Sequence, residues 1–239
     1  PCGITDVERR AMTDAIIQAG AREAYLLESP VAAAIGANLP IMEARGSMAV
    51  DIGGSTTDVA IVSMGGKVAS KTSRVGGNEL NEAIYKYIRR EFSIMVSDET
   101  VEDIKLTLGT AMPPSVEGEY TIVGRHSETG LTKRCIIRKS EVYEILRQPI
   151  AEMVAVVRSI LEKTPPELVA DIMESGMLLT GGTALLEGLD LHMREELGVP
   201  VRIADASDLT VALGLGKAAS DVERLERLLV ASKLRKGRS

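Results

Sequence analysis

The alternation of apolar and polar positions predicts strands that alternate with helices over most of the chain. Residues 47–52 and 57–64 are apolar strands around a glycine turn, and residues 68–75 predict a third strand after a Gly-Gly turn. A stretch with apolar residues at helical spacing follows, and Asn78 is the predicted cap of that helix. This pattern predicts three antiparallel strands closed by a helix.

The first 45 residues predict a helix, a short strand and a second helix. Thr5 and Glu8 have the spacing of a capping box, so a helix is expected to start there and to end at Gly20. Residues 24–27 are a short apolar run typical of a buried strand. Pro30 then stands where helices often begin, before an alanine-rich stretch.

The rest of the chain continues the alternation but contains one interruption. The predicted elements are helices over 98–108, 141–163 (capped by Ser140), 166–176, 184–197 and 209–229, a polar hairpin over 119–138, and strands over 177–180 and 199–203. Residues 98–163 break the alternation and are expected to form an inserted subdomain. The predicted fold class is α/β: a mixed sheet flanked by helices, with a small inserted α+β subdomain.

Composition and charge exclude several classes of function. The 239 residues carry 28 basic and 34 acidic side chains, and this net charge of −6 disfavours a nucleic-acid-binding face. Cys2 and Cys135 cannot form a disulfide framework or a metal-binding spacing, which favours a reducing cytoplasmic compartment. No apolar run approaches 18 residues, so no membrane-spanning helix is expected.

The segment DIGGSTTD, which starts at Asp51, is the first candidate for chemistry. Asp51 ends an apolar strand and would hold Mg²⁺ through water, because Mg²⁺ loses its water ligands reluctantly. Gly53 and Gly54 allow the backbone to approach a ligand closely. Loop amides, with the hydroxyls of Ser55 and Thr56, could cradle phosphate oxygens. A tight hairpin with polar turn residues explains the same pattern equally well.

A second glycine motif, LLTGGTALL, runs from a predicted strand through Gly181 and Gly182 into a predicted helix. The start of a helix suits an anionic or dipolar ligand. Close packing between the strand and the helix is the alternative explanation, and the motif gains meaning only when it is paired with the first loop.

Two further motifs have simple structural explanations. Glu102 and Lys105 lie three residues apart, so both side chains occupy one face of a helix, as in an ordinary surface ion pair. Ser29 stands before Pro30, where it could face a reacting group or merely cap the helix.

Together these motifs resemble the actin superfamily of ATPases and, within it, the MreB family of bacterial rod-shape-determining filament proteins. The resemblance is carried by GITDVERRA, YLLESPVAAAIGANLP, MAVDIGGSTTDVAIVSMG, LEKTPPELVADI and LLTGGTALLEGLD, and it covers the chain except its extreme tail. It implies an actin-like, ribonuclease-H-like fold of two lobes, with ATP and Mg²⁺ in the cleft between them.

The resemblance also implies an organisation into lobes. Residues 1–45 would end the first lobe, 46–97 and 164–205 would form the nucleotide-binding second lobe, 98–163 would form the inserted subdomain with a long return helix, and 206–239 would be a helix returning to the first lobe plus a basic tail. The first phosphate loop of the superfamily is not found among these residues. A part of a longer protein and a shortened relative both explain this.

Site residues follow from the resemblance by position. The second phosphate loop would be Gly53, Gly54, Ser55 and Thr56, with Asp51 holding the metal through water; the adenosine contacts would be Glu102, Asp103, Ile104 and Lys105; and the adenosine loop would be Gly181, Gly182, Thr183 and Ala184.

Three positions depart from the family pattern. Ser55 and Thr183 replace glycines, and their Cβ atoms are expected to narrow the space for phosphate or purine. Ser29 replaces the catalytic glutamate. The neighbouring Glu28 is the alternative carboxylate, although adjacent residues of a strand point to opposite faces. Weakened ATP hydrolysis is therefore expected.

The resemblance implies polar filaments that govern rod cell shape and direct cell-wall synthesis. The expected partners are further copies of the chain and the cell-elongation machinery at the inner membrane, with no nucleic acid. The expected location is the cytoplasm, membrane-associated in the family, although this segment gives no argument for membrane contact. The alternative function is a truncated or degenerate structural partner of an intact filament that does not hydrolyse ATP.

Overall fold

The computed structural model describes residues 1–233, with side chains for residues 1–229. The strands are β1 (Glu23–Leu26), β2 (Ser47–Ile52), β3 (Thr57–Ser63), β4 (Gly66–Ser73), β5 (Ile94–Met95), β6 (Glu119–His126), β7 (Thr132–Arg138), β8 (Met177–Thr180), β9 (Val201–Ile203) and β10 (Val230–Lys233). The helices are α1 (Asp6–Gln18), α2 (Ser29–Gly36), α3 (Gly77–Phe92), α4 (Asp98–Leu108), α5 (Lys139–Leu161), α6 (Pro166–Ser175), α7 (Leu189–Leu197) and α8 (Thr210–Ser220), with 3₁₀ turns at Gly182–Leu185 and Glu226–Leu228.

A five-stranded mixed sheet in the order β4-β3-β2-β8-β9 forms the centre of the fold. The strands β2, β3 and β4 are antiparallel, as predicted, while β8 runs parallel to both β2 and β9. Because β2 and β8 are parallel neighbours, their carboxyl ends meet at one edge of the sheet, where Asp51 is in register with Thr180. The two glycine motifs are thereby brought together.

The two faces of the sheet carry side chains of different size, because successive strand residues point to opposite sides. On one face the large residues Met48, Val50 and Ile52 pack in the main core, which α3 and α5 cover. On the other face Ala49 and Ala60 contact the second core cluster, which includes residues of α2 and α8. Small side chains on this face allow the helices to lie close to the sheet.

Two glycines set the crossing of α2 and α8. A Cβ on Gly36 would lie 2.1 Å from the Thr210 carbonyl oxygen, and one on Gly214 would lie 1.7 Å from the Ala32 carbonyl oxygen. Real Cβ contacts are never this short, so the two backbones touch where each helix lacks a side chain.

The central segment builds a separate three-stranded sheet in the order β5-β6-β7, joined to the main core by α4 and α5. The predicted helix over 98–108 and the hairpin over 119–138 are confirmed. The boundaries proposed for the two lobes and the insertion stay a prediction.

The predicted helix over 209–229 is wrong in its second half. The helix α8 ends at Ser220, and a turn leads to β10, which pairs antiparallel with β1. Pairing between residues about 200 positions apart leaves no periodic signal in the local sequence. Residues 234–239 of the predicted basic tail lie outside the described residues.

The predicted helix over 184–197 is also wrong at its start. Residues 182–185 form a short 3₁₀ turn, Gly188 has a φ of +74°, and α7 begins only at Leu189. A left-handed residue at Gly188 ends one helical segment and starts another, although the apolar spacing continues through it.

Two predicted helix caps are wrong. The cap of α3 is Gly76 rather than Asn78, and the cap of α5 is Arg138 rather than Ser140. Within the described residues, no helix is both long and apolar enough to cross a bilayer.

Candidate functional site

The loop between β2 and β3 is docked on the start of α3. The carbonyl oxygens of Gly53 and Gly54 accept from the amides of Gly77 (3.0 Å) and Asn78 (2.7 Å), and the Gly53 amide donates to the Thr56 carbonyl at 2.9 Å. These bonds satisfy the first amides of α3 without a capping side chain, which explains why Asn78 is not the cap.

Docking in this direction uses the loop carbonyls and leaves loop amides without partners. Within residues 1–233, the amides of Gly54, Ser55 and Thr56 have no backbone acceptor, so three donors remain for a ligand. A Cβ on Gly76 would lie 2.7 Å from the carbonyl oxygens of both Gly53 and Gly54, so only glycine fits beneath the loop. An anion is the ligand that such a set of amides favours.

Asp51 lies at the base of this loop, opposite Asp58 on β3. Asp58 is buried, and its oxygens accept from the hydroxyls of Thr56 and Thr72 and from the Cys2 amide. Burial, with a smaller contribution from the charge of Asp58, raises the pKa of Asp51 to about 6. A cation near Asp51 would reverse this effect, so the carboxylate fits a metal-binding role, directly or through water.

The second glycine loop is held by a residue that the sequence reasoning missed. Ser207, buried between β9 and α8, donates from its hydroxyl to the Gly181 carbonyl (2.8 Å). Its own carbonyl accepts from the Thr180 hydroxyl (2.8 Å) and the Gly181 amide (2.9 Å). Gly181 has a φ of +90°, and a Cβ there would lie 2.3 Å from the Ile52 carbonyl oxygen. A lone serine in a connecting loop gives no sequence signal for this role.

Ser55 and Thr183, the two residues expected to stand where the family has glycines, make hydrogen bonds inside the site. The Thr183 hydroxyl donates to the Gly53 carbonyl at 2.9 Å, and the Asn78 side-chain amide donates to the Ser55 hydroxyl at 3.1 Å. Neither Ser55 nor Thr183 has a positive φ. Their Cβ atoms therefore cause no backbone strain.

The Glu102–Lys105 pair on α4 faces the glycine loops. Glu102 Oε2 accepts from Lys105 Nζ (2.8 Å) and from the Asn81 amide (2.7 Å), and Lys105 also approaches the Gly77 carbonyl at 3.4 Å. Burial alone would raise the pKa of Glu102, but the hydrogen bonds from Lys105 and Asn81 lower it, so the carboxylate is favoured. Because the Lys105 side chain is only 12% exposed, this is not an ordinary surface pair.

The two residues that lie between Glu102 and Lys105 in sequence do not face the glycine loops. Asp103 is exposed, and Ile104 is fully buried in the main core. Helical geometry places positions one residue apart about 100° around the axis, so these side chains point away from the site.

A cavity of about 440 Å³ lies between the loops and α4, within the usual range for a small-molecule site. Of the predicted residues it is lined by Gly54, Glu102, Lys105, Gly182 and Thr183; the others that line it are Gly77, Asn78, Leu80, Leu106, Gly109, Leu185, Leu186 and Glu187. Ala184 is fully buried and lies behind this surface. A cavity of about 880 Å³ between α5 and α7 is larger but contains no glycine loop.

Neither Glu28 nor Ser29 lines this cavity. Glu28, rather than Ser29, occupies the cap position of α2, so the capping alternative for Ser29 is wrong. Glu28 Oε1 accepts from Lys67 Nζ at 2.6 Å, and this ion pair lines a different cavity beside Leu228. Ser29 therefore brings no carboxylate to the site, and its neighbour is engaged elsewhere.

Comparison with known proteins places this geometry in a family. The family model described as "MreB/Mbl protein" matches residues 1–227. The cell shape-determining protein MreB of Escherichia coli K12 is 45% identical over 223 residues, which are 93% of this chain and 64% of the relative. The cell shape-determining protein Mbl of Bacillus subtilis is 40% identical over 227 residues, 95% of this chain and 68% of the relative. The chain thus spans about two thirds of the length of these relatives.

Solved structures agree on the fold. The crystal structure of MreB5 of Spiroplasma citri bound to ADP matches with a TM-score of 0.86 and 34% identity over 93% of this chain and 68% of that one. The MreB5 structure with AMPPNP matches with a TM-score of 0.85. The MamK double helical filament matches with a TM-score of 0.76 over 92% of this chain and 67% of that one. At 16% identity, the MamK match shows the actin-like fold alone.

Proposed function

Because the chain belongs to the MreB/Mbl family of actin-like proteins, we propose that it binds ATP with Mg²⁺ and assembles into filaments that govern rod cell shape. The observation that carries the proposal is the meeting of two glycine loops and the Glu102–Lys105 pair around one cavity. The nucleotide-bound MreB5 structures, in the same family and of similar fold, support this assignment.

Each part of the site has a proposed task. The free amides of Gly54, Ser55 and Thr56 would bind phosphate oxygens. Asp51 would hold Mg²⁺ through water, where the cation neutralises charge on the phosphates. Glu102 and Lys105 would contact the nucleoside. Asp103, Ile104 and Ala184 would act only by supporting the surfaces beside them.

The proposed outcome of binding is assembly. A nucleotide held between the elements of this site would favour one closed arrangement of the molecule, and a filament that recruits this arrangement would shift the population toward it. Further copies of the chain are the proposed partners. A link to the cell-elongation machinery at the inner membrane, from the cytoplasm, completes the proposal and rests on family membership.

A second candidate function is a structural partner that joins a filament without hydrolysing ATP. The observation that favours it is the pair of neighbours Ser29, which has no carboxylate, and Glu28, which is bound to Lys67. Such a protein would still bind nucleotide, so binding and hydrolysis must be measured separately.

Isothermal titration of ATP·Mg²⁺ into the protein, with sedimentation of polymer, tests the proposal. We expect micromolar affinity and nucleotide-dependent pelleting. Glu102→Gln should weaken binding by about tenfold, as expected for one charge-assisted hydrogen bond. Glu99→Gln, on an exposed position of the same helix, is the matched control and should bind as the wild type does. Absence of both binding and pelleting in the wild type would contradict the proposal.

A further inference from the structure

We propose that Thr183 is a positioning residue that ties the loop Gly53–Thr56 to the loop Gly181–Ala184 before any ligand binds. Both halves of a nucleotide would then meet a surface that is already assembled. The inference rests on the nucleotide-binding function proposed above, and it adds a role for the Thr183 side chain.

The tie is a single long-range hydrogen bond. Thr183 Oγ1 donates to the Gly53 carbonyl oxygen at 2.9 Å, across 130 positions of sequence. Among the residues with described side chains, no other side-chain hydrogen bond joins these two loops. One loop is proposed to contact the phosphates and the other the nucleoside, so this bond links two parts of one ligand site.

The hydroxyl is held where it has little freedom to move. A Cβ on Gly77, the first residue of α3, would lie 2.8 Å from Thr183 Oγ1 and 3.4 Å from Lys105 Nζ. Glycine at position 77 therefore makes the space in which the hydroxyl sits. The tie lies at the junction of both loops, α3 and α4.

The same hydrogen bond gives the Gly53 carbonyl oxygen a second donor. Its carbonyl oxygen accepts from the Gly77 amide at 3.0 Å as well as from Thr183. A carbonyl oxygen has two lone pairs, and both are now used. Its orientation is thereby set, and Gly54, the next residue of the loop, lines the cavity. A preorganised loop reduces the ordering cost that a ligand must offset.

Simple crowding by Thr183 is the competing explanation, and two variants separate it from a tie. Thr183→Val keeps the volume and loses the hydroxyl, whereas Thr183→Ser keeps the hydroxyl and loses the methyl group. If Thr183 is a tie, valine weakens binding and serine preserves it. If Thr183 only crowds the cavity, valine has no effect and serine tightens binding.

The effect of Thr183→Val on affinity should also depend on which ligand is bound. A tie between two loops helps a ligand that spans both and gives little to a ligand that contacts only one. We therefore expect Thr183→Val to weaken ATP·Mg²⁺ binding about five- to tenfold, the effect of one lost neutral hydrogen bond. Adenosine affinity should change less than about twofold.

The experiment combines titration calorimetry with hydrogen exchange on the ligand-free protein. In Thr183→Val, the amides of Gly53, Gly77 and Asn78, whose hydrogen bonds hold the loop on α3, should exchange faster than in the wild type. Thr183→Ser should restore both the exchange rate and the affinity. If Thr183→Val does not fold, as judged by circular dichroism, Thr183→Ala takes its place. Unchanged exchange in the hydroxyl-free variant would overturn the tie, as would equal losses for ATP and adenosine.

Hydrogen exchange keeps the two proposals distinct. If the wild type binds no nucleotide, the proposed function fails, but the exchange comparison still decides whether the tie exists. Faster exchange at the amides of Gly53, Gly77 and Asn78 in Thr183→Val then supports the tie, and unchanged exchange rejects it.

Discussion

Asp51 and Asp58 occupy paired positions on β2 and β3, so two carboxylates lie on the same side of the sheet at the base of the loop. The two are not equivalent. Asp58 has three hydrogen-bond donors within the protein, from Thr56, Thr72 and Cys2. Asp51 has none among the hydrogen bonds of the described residues, and burial together with the charge of Asp58 raises its pKa to about 6.

This asymmetry predicts that Asp51→Asn stabilises the ligand-free protein at neutral pH. A pKa raised from 3.8 to about 6 means that ionised Asp51 costs the folded state up to about 3 kcal/mol. The cost vanishes well below the unfolded-state pKa of 3.8, where both states are protonated, is small near pH 4, and is complete above pH 6–7. Asparagine removes part of it, so we expect a gain of about 1–3 kcal/mol at pH 7.5 that becomes small near pH 4.

Urea unfolding between pH 4 and pH 8 without Mg²⁺ measures this gain. The exposed Asp103→Asn on α4 is the control and should show no comparable pH-dependent gain. A gain in Asp51→Asn that is the same at both ends of the pH range would contradict the assignment.

Ser29→Glu should increase ATP hydrolysis if a positioned carboxylate is what the chain lacks. A positioned general base contributes about 10²–10⁴-fold to a rate, so a substantial part of that factor should return. Phosphate release at saturating ATP·Mg²⁺ is the measurement. Ser29→Gln has the same shape without the base and should show no gain. If Ser29→Glu also shows none, loss of this carboxylate does not limit hydrolysis.

Two glycines of α8 should respond in opposite ways to alanine. At Gly214 a Cβ would lie 1.7 Å from the Ala32 carbonyl oxygen, so Gly214→Ala forces α2 and α8 apart. We expect a loss of at least about 2 kcal/mol of stability. At Gly216 no atom lies within 4 Å of the added Cβ. Gly216→Ala should gain about 0.5–1 kcal/mol, because alanine loses less conformational entropy in a helix.

Thermal unfolding of the two variants against the wild type tests this pair. Equal effects in the two variants would show that α2 and α8 do not cross in the close contact described above.

Ser207→Ala should destabilise the protein although Ser207 lies in a connecting loop. Its hydroxyl donates to the buried Gly181 carbonyl, and its loss removes this bond and leaves the Ala184 amide, at 3.1 Å, as the remaining donor. This costs about 1–2 kcal/mol. Ser220→Ala also removes a hydroxyl that bonds a backbone carbonyl, but at an exposed position, so it should change stability by less than about 0.5 kcal/mol. Denaturant midpoints of the two variants are the measurement, and equal midpoints would argue against a clamp at Gly181.

Local pattern was a reliable guide where an element is built from near neighbours in sequence. The Thr5 capping box, α4, the β6–β7 hairpin and the antiparallel β2–β3–β4 unit are all found where the spacing predicted them. Each depends on periodicity or turn chemistry within about twenty residues, and such signals act before any tertiary contact forms.

Caps and helix ends were less predictable, because a side chain that can cap a helix is not always needed. Asn78 has the right chemistry, but the loop carbonyls of Gly53 and Gly54 already satisfy the first amides of α3. The side chain of Asn78 donates to Ser55 instead. The helix predicted beyond Ser220 failed for a related reason, since the end of the described chain pairs with β1.

In the candidate site, too, short local motifs were predictable from the sequence and contacts between distant residues were not. Residue types and spacing indicated Asp51 and the two glycine loops as candidates, because each is a short motif of adjacent residues, whereas Glu102 and Lys105 entered the candidate site only through the family resemblance. Only the packed molecule decided that Ser207 clamps Gly181, that Lys67 engages Glu28 and that Thr183 reaches Gly53. These contacts join residues 26 to 130 positions apart, and their geometry depends on how the sheet and helices pack rather than on any local preference of the chain.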